Sequence, residues 1–336
     1  MPPLHRPQLT RDCFAALFGD RAVAYAEARA AGLSRAALDA AVGRGLLVRP
    51  RRGLISVPPV AAGPHLRANH LANLAAALAS VSSDASASHD SAALVHGIAR
   101  PSSAPPSAVQ LVGTEAASFV MPGLILRASP LPPHHRVAVD GMAATSIART
   151  AVDLARGRPF HAALIPLDSA ARLLIAGATA TSGNALRHAV REPEHRAWAR
   201  AQIAEALDSV FGWAGTVGVH RALPHLDPAS ESATESRSRG WFLEAGLGAL
   251  NPGTPIRCGA RTYWADFCSP EHRLIGEADG WSKYGDTAPE FRTALGGERE
   301  RQRDLEADGW GLTRWTSTDR RRTVVDQMAR ALHPPA

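Results

Sequence analysis

Residues 263–279 restrict the fold more than any other part of the chain. Tyr263-Trp264-Ala265-Asp266-Phe267-Cys268 and Leu274-Ile275-Gly276-Glu277-Ala278-Asp279 are short apolar runs on either side of a turn from Ser269 to Arg273. A hairpin centred on Glu271 and His272 makes Asp266 and Glu277 cross-strand partners, with Cβ atoms about 4.5–5.5 Å apart. Alternation then puts Tyr263, Ala265, Phe267, Leu274, Gly276 and Ala278 on one apolar face and Asp266, Glu277 and Asp279 on the other. Like charges opposite one another destabilise a sheet, so this pattern requires a raised pKa, an arginine partner or a divalent cation. Mg²⁺ (or Mn²⁺) suits such oxygen ligands, with Asp266 and Glu277 as the metal-binding pair.

The flanking segments extend the pattern. Ser230 to Arg237 reads as a capped helix continuing to about Ala245, with Glu231 and Glu235 one turn apart on one face. Lys283 follows the acids, Pro289 to Asp308 reads as a charged helix, Gly311 to Trp315 as a strand, and a last helix starts near Asp319. Arg292, Arg299 and Arg303 on the charged helix are positioned as clamps for a phosphate backbone; the alternative is intrahelical pairing with Glu298 and Glu300.

This order of elements, with "ESATESRSR", "WADF", "GEADGWSKY" and "ERERQRDLEADGWGLTRW", resembles the PD-(D/E)xK nuclease superfamily, in particular its very-short-patch-repair-like endonuclease domain, from Ser230 to Arg322. The resemblance implies a restriction-endonuclease-like fold. It makes Asp266 and Glu277 the metal-binding acids, Glu235 the helix glutamate supporting the metal or its water, and Asp279 and Lys283 the remaining catalytic positions. One departure stands out: the lysine normally two residues after the glutamate is Asp279 here. Lys283 is expected to reach back in its place; a domain in which it does not would bind nucleic acid without cutting it.

At the other end, Arg21 to Ala31 is helix-forming, Gly32-Leu33-Ser34 is a turn ending in an N-cap, and Arg35 to Gly43 opens a second helix. Leu46-Leu47-Val48 and Leu54-Ile55-Ser56-Val57 flank the basic turn Arg49-Pro50-Arg51-Arg52-Gly53 as a two-stranded wing. Such a unit lays a helix in the major groove and neutralises phosphates with its wing, for which Arg35, Arg44, Arg49, Arg51 and Arg52 are positioned. The other reading is a small protein-contact module with solvated arginines. Ala31 to Ile55 resembles the winged helix of AbiEi-type antitoxins, which implies binding to DNA and a cognate toxin as a further partner.

Between these ends, Ser88-His89-Asp90-Ser91-Ala92-Ala93 with His96-Gly97, and Met142 to Asp153, resemble later elements of the same antitoxin family. Arg149 and Asp153 can pair one helical turn apart. His89 and His96 would share a helical face, but without a carboxylate or cysteine at ligand spacing they read as hydrogen-bonded structural groups, as do His134 and His135.

A length of 336 residues exceeds one core. Breaks at Pro58, Pro59 and Pro64 and at Pro224–Ser230 predict a winged helix over 1–59, a mixed α/β scaffold or interaction domain over 60–227, and a restriction-endonuclease-like domain over 228–336: a multi-domain α/β (α+β) protein. The net charge of +6, mostly arginine, fits a polyanionic partner or a solvated basic surface. Cys13, Cys258 and Cys268 are too few and too scattered for a disulfide framework and fit a reducing cytoplasm. No apolar run is expected to approach the ~18 residues of a membrane span. Two functions stay open. One is metal-dependent phosphodiester cleavage of DNA, targeted by the winged helix; the other is a non-catalytic DNA-binding regulator or antitoxin of a type IV-like toxin–antitoxin system.

Overall fold

The computed structural model describes residues 10–19, 22–49, 53–57, 65–81, 84–102, 104, 106–114, 117–248, 250–279 and 300–333. They form a multi-domain α/β protein that divides into two compact units. Met1–Gly97 with Ser102–Ser146 make the first, Ile98–Pro101 with Ile147–Ala336 the second.

The first unit opens with α1 (Arg11–Phe18), β1 (Val23–Ala24), α2 (Tyr25–Ala30), α3 (Arg35–Gly43) and β2 (Leu54–Ile55). Ser34 caps α3 as expected, its hydroxyl accepting the Ala37 N–H at 3.2 Å. The helix predicted from Arg21 starts later, because Val23 and Ala24 pair with Ile55 and Leu54. The first wing strand reduces to one bridge, Val48 to Ser56. Phe14, Val23, Leu38, Leu47 and Ile55 close the small core between these elements.

A six-stranded mixed sheet completes this unit. Its order is β5 (Phe119–Met121), β6 (Leu124–Ala128), β4 (Val109–Gly113), β3 (Ser86–Ala87), β8 (Met142–Thr145), β7 (Arg136–Val139). Helices α4 (His65–Leu78) and α5 (His89–His96) bury Leu74, Ala77 and Ala92 against Leu111, Leu124 and Ala144. His96 Nε2 donates to the Thr145 carbonyl at 2.7 Å, and His89 Nδ1 meets Ser88 Oγ at 3.1 Å. Both histidines thus hydrogen-bond within this unit.

In the second unit, α6 (Ile147–Ala155), α7 (Phe160–Thr179), α8 (Gly183–Ala189), α9 (Pro193–Asp208) and α10 (Thr216–Ala222) surround one apolar core. Arg149 and Asp153 pair inside α6 at 3.1 Å. Helix α7 crosses α11 (Ala233–Glu244) at Gly240, where a Cβ would lie 2.4 Å from the His161 Cα, so only glycine fits. One residue earlier, Arg239 donates to both oxygens of Asp168 at 2.8 and 2.7 Å, and Asp168 is fully buried. The helices of 147–227 share packing and a buried ion pair with α11, and the middle stretch divides after Ser146. The expectation of no long apolar run is also corrected: α7 has the length and composition of a membrane span. Its buried residues and its ion-paired Asp168 make it a core helix.

The remaining elements are β9 (Asn251–Cys258), β10 (Arg261–Ser269), β11 (Leu274–Asp279), α12 (within 300–307), β12 (Gly311–Thr316) and α13 (Arg321–Leu332). The sheet order is β12-β11-β10-β9, parallel between β11 and β12 and antiparallel elsewhere. Strand β9 was not expected, because Pro252 and Pro255 suppress strand propensity; it lies at the sheet edge, where a missing donor is tolerated. On one side, Phe242, Phe267 and Trp315 form an aromatic trio with centroids 5.3–5.6 Å apart, joined by Met328 of α13. On the other, Leu305 of α12 packs with Ala265, Cys268 and Ile275. The single apolar face predicted for the hairpin is therefore divided. Tyr263 and Ala265 belong to the α12 side, whereas Phe267, Leu274 and Ala278 belong to the α11–α13 side. The long strand β10 follows β9 over most of its length but pairs with β11 only from Phe267 to Ser269, and the change of side falls at Asp266, which the β9–β10 ladder skips opposite Gly253 with its φ of 52°.

Candidate active site

The hairpin has the predicted centre: Phe267 opposes Gly276 and Ser269 opposes Leu274. Continuing that register sets Asp266 opposite Glu277, but the recorded strand pairing stops just before them. Asp266 Oδ2 instead accepts the Ala278 N–H at 2.8 Å, so a carboxylate takes the position a strand carbonyl would occupy. Glu277 is buried and accepts from Arg301 Nη2 at 2.6 Å, and the same Nη2 lies 3.1 Å from the Trp264 carbonyl. An arginine partner was one of the three outcomes that the opposed acids required; Arg301 itself was missed.

The second outcome is present too. Ser232 caps α11, accepting the Glu235 N–H at 3.2 Å, while Glu235 Oε2 accepts the Glu231 N–H at 2.7 Å. This is a capping box shifted by one residue. Glu231 therefore precedes the helix rather than sharing a helical face with Glu235, a correction to the expected helix start. Burial, and next the charge of Asp266, push the Glu235 carboxyl up to about 8.

Glu231 has a separate role. Arg187 of α8 donates to its two oxygens at 2.8 and 2.9 Å, and Arg172 of α7 donates at 2.8 Å. Despite burial, these bonds keep the Glu231 carboxyl below its ordinary value. The Arg187 guanidinium also lies over the Trp264 ring, 5.4 Å from its centroid. No local pattern could have pointed to Arg172, Arg187 or Arg301, because each reaches the acids from an element distant in sequence.

Among the described residues, no three carboxylates bring one oxygen each within 4.8 Å of one another. The site is thus an acid pair, Asp266 and Glu277, with Glu235 supporting it. Such a pair fits a divalent hard cation: Mg²⁺ commonly uses one or two carboxylates and keeps several waters. Burial first, and then the charge of Asp266, raise the Glu235 carboxyl, and a cation held at Asp266 would weaken the second of these effects. The Asp279 side chain, Lys283, Arg292 and Arg299 lie outside the described residues. Arg303 is exposed on α12, and Glu300 pairs with Arg261 of β10 at 2.7 Å rather than within its own helix.

In the winged helix, Arg35 and Arg44 are exposed, and Arg51 and Arg52 lie outside the described residues. Arg49 is pinned to the second helix. It pairs with Asp39 and donates to the Tyr25 hydroxyl at 3.0 Å, and that hydroxyl donates to Asp39 at 2.9 Å. The contact fixes the residue after Val48 onto α3.

The raised Glu235 value makes a stability prediction for the metal-free protein. The folded carboxyl retains a proton that the unfolded chain releases near pH 4.3. Its contribution is therefore fully present below that pH and is lost as pH rises towards about 8. Glu235→Gln is expected to flatten this part of a urea-midpoint profile between about pH 4.3 and 8. An unchanged slope would show that Glu235 ionises normally.

No protein-family model matches the sequence. The chain is 28% identical over 216 residues to the uncharacterized proteins MT2308 and Rv2248 of two Mycobacterium tuberculosis strains, covering 62% of this chain and 70% of each relative. A crystal structure of the RV2827C protein from Mycobacterium tuberculosis aligns with 63% of this chain and 78% of its own, at 17% identity and a TM-score of 0.33.

Proposed function

We propose that the chain is a metal-dependent endonuclease of PD-(D/E)xK type acting on DNA, with its winged helix supplying DNA affinity. One observation carries this reading: Asp266 and Glu277 stand where the hairpin stops pairing, and Glu235, its carboxyl pushed up to about 8 by burial and by Asp266, is buried beside Asp266. When bound by Asp266 and Glu277, Mg²⁺ would supply a water of lowered pKa and stabilise charge on the phosphate. The chain's own groups do the rest. The Ala278 N–H orients Asp266, and the capping box fixes Glu235, whose carboxyl holds an exchangeable proton near neutral pH. Exposed Arg35 on α3 and Arg44 just after it offer phosphate contacts. Three free cysteines, Cys268 among them buried, support a cytoplasmic setting.

A second reading, an antitoxin-like regulator with a toxin partner and no cutting activity, is favoured by the same Glu277 being already paired with Arg301. Incubation with supercoiled plasmid separates the two. The nuclease reading expects nicking with Mg²⁺ or Mn²⁺ and none with chelator; intact plasmid under both conditions, with DNA still bound, selects the regulator.

A further inference from the structure

We infer that Arg301 is an exchangeable counter-ion: it holds Glu277 and moves to the scissile phosphate when Glu277 takes a divalent cation. This inference rests on the nuclease reading. Glu277 is 5% exposed, and its charge is met by Arg301 Nη2 at 2.6 Å. Arg301 is brought there by a helix fastened to β10 at several points. The Tyr263 hydroxyl donates to Asp304 at 2.5 Å, Arg261 donates to Glu300 at 2.7 Å and to Asp304 at 3.1 Å, and Leu305 enters the core beside Ala265.

The base of this arginine is thus fixed, while its end bonds to the Glu277 carboxylate and the Trp264 carbonyl. A buried carboxylate keeps its charge only with a partner, and a guanidinium and a metal ion cannot both serve fully as that partner. Metal uptake at Glu277 therefore competes with Arg301. The displaced guanidinium stays on its anchored helix next to the acids, and its fork matches phosphate oxygens. The substrate class that this arrangement accepts is a phosphodiester, whose negative charge replaces Glu277 as the partner of Arg301.

The competition gives opposed effects that a merely structural arginine would not. Full-length parent, Arg301→Gln and Arg301→Lys are titrated with Mn²⁺ alone by calorimetry, then assayed for plasmid nicking at saturating Mn²⁺. Arg301→Gln is expected to bind Mn²⁺ about tenfold more tightly, since a competing positive charge is gone. Its nicking rate is expected to fall on the order of a hundredfold, the usual cost of losing one charge-stabilising donor. Arg301→Lys keeps a charge for folding but loses the fork, and is expected to shift both quantities in the same directions by less.

Arg301→Gln binding Mn²⁺ no more tightly than the parent would overturn the inference. So would joint loss of binding and cutting in Arg301→Lys, which marks a structural role. If the parent binds Mn²⁺ and nicks DNA, these results leave the nuclease reading standing; a parent that does neither overturns both.

Discussion

Arg239→Ala is expected to destabilise the second unit by roughly 3–5 kcal/mol, the usual cost of leaving one member of a buried ion pair alone. Asp168 is 0% exposed, receives two bonds from Arg239, and accepts the Asp227 N–H at 2.9 Å. Without the guanidinium it must ionise unpaired in an apolar core or take up a proton. Domain stabilities of roughly 5–15 kcal/mol leave little in reserve. All seven tryptophans lie beyond residue 147, so urea unfolding followed by tryptophan emission reports on this unit alone. The double variant Asp168→Leu with Arg239→Met is expected to recover most of the loss, because an apolar pair of similar volume needs no desolvated charge. A midpoint for Arg239→Ala within about 1 kcal/mol of the parent, the range of a surface pair, would mean that the joint between α7 and α11 rests on packing alone.

Asp266→Asn carries the largest expected effect on activity. Asparagine keeps an oxygen for the Ala278 N–H, so the strand ends stay in position, but the negative charge needed for a cation is gone. Nicking is expected to fall by at least about a hundredfold. Stability is expected to hold or rise, because Asp266 is a source of the repulsion that keeps Glu235 protonated. Loss of activity together with gain of stability is what a functional acid cluster predicts. Asp266→Ala makes a poorer test, since it also leaves a backbone donor without its acceptor, at about 1–3 kcal/mol. If Asp266→Asn cuts at the parental rate, Asp266 does not take part in the reaction.

Much of this arrangement was legible in the sequence because local signals encode it. The turn centre at Glu271 and His272 follows from two apolar runs of similar length, and the cap at Ser34 from the residues around it. The pairing of Arg149 with Asp153 needs only helical spacing. Other features depend on what lies far away in sequence. Strand β9 reads as a loop until its edge position excuses Pro252 and Pro255. Arg172, Arg187 and Arg301 resemble other surface arginines until folding brings them to the acids. The joint across residue 227 has the same origin: Asp168 and Arg239 are 71 residues apart, and nothing local marks them as partners. Tyr263 and Phe267 share a parity, yet the break in the ladder at Asp266 and Gly253 separates them into different cores.

The most direct test of the metal centre is anomalous scattering from a crystal soaked in Mn²⁺. The nuclease reading predicts one strong peak with Asp266 and Glu277 oxygens as ligands, and the Arg301 guanidinium turned away from Glu277. Saturating Mn²⁺ with no peak at that pair, and Arg301 still bonded to Glu277, would contradict it.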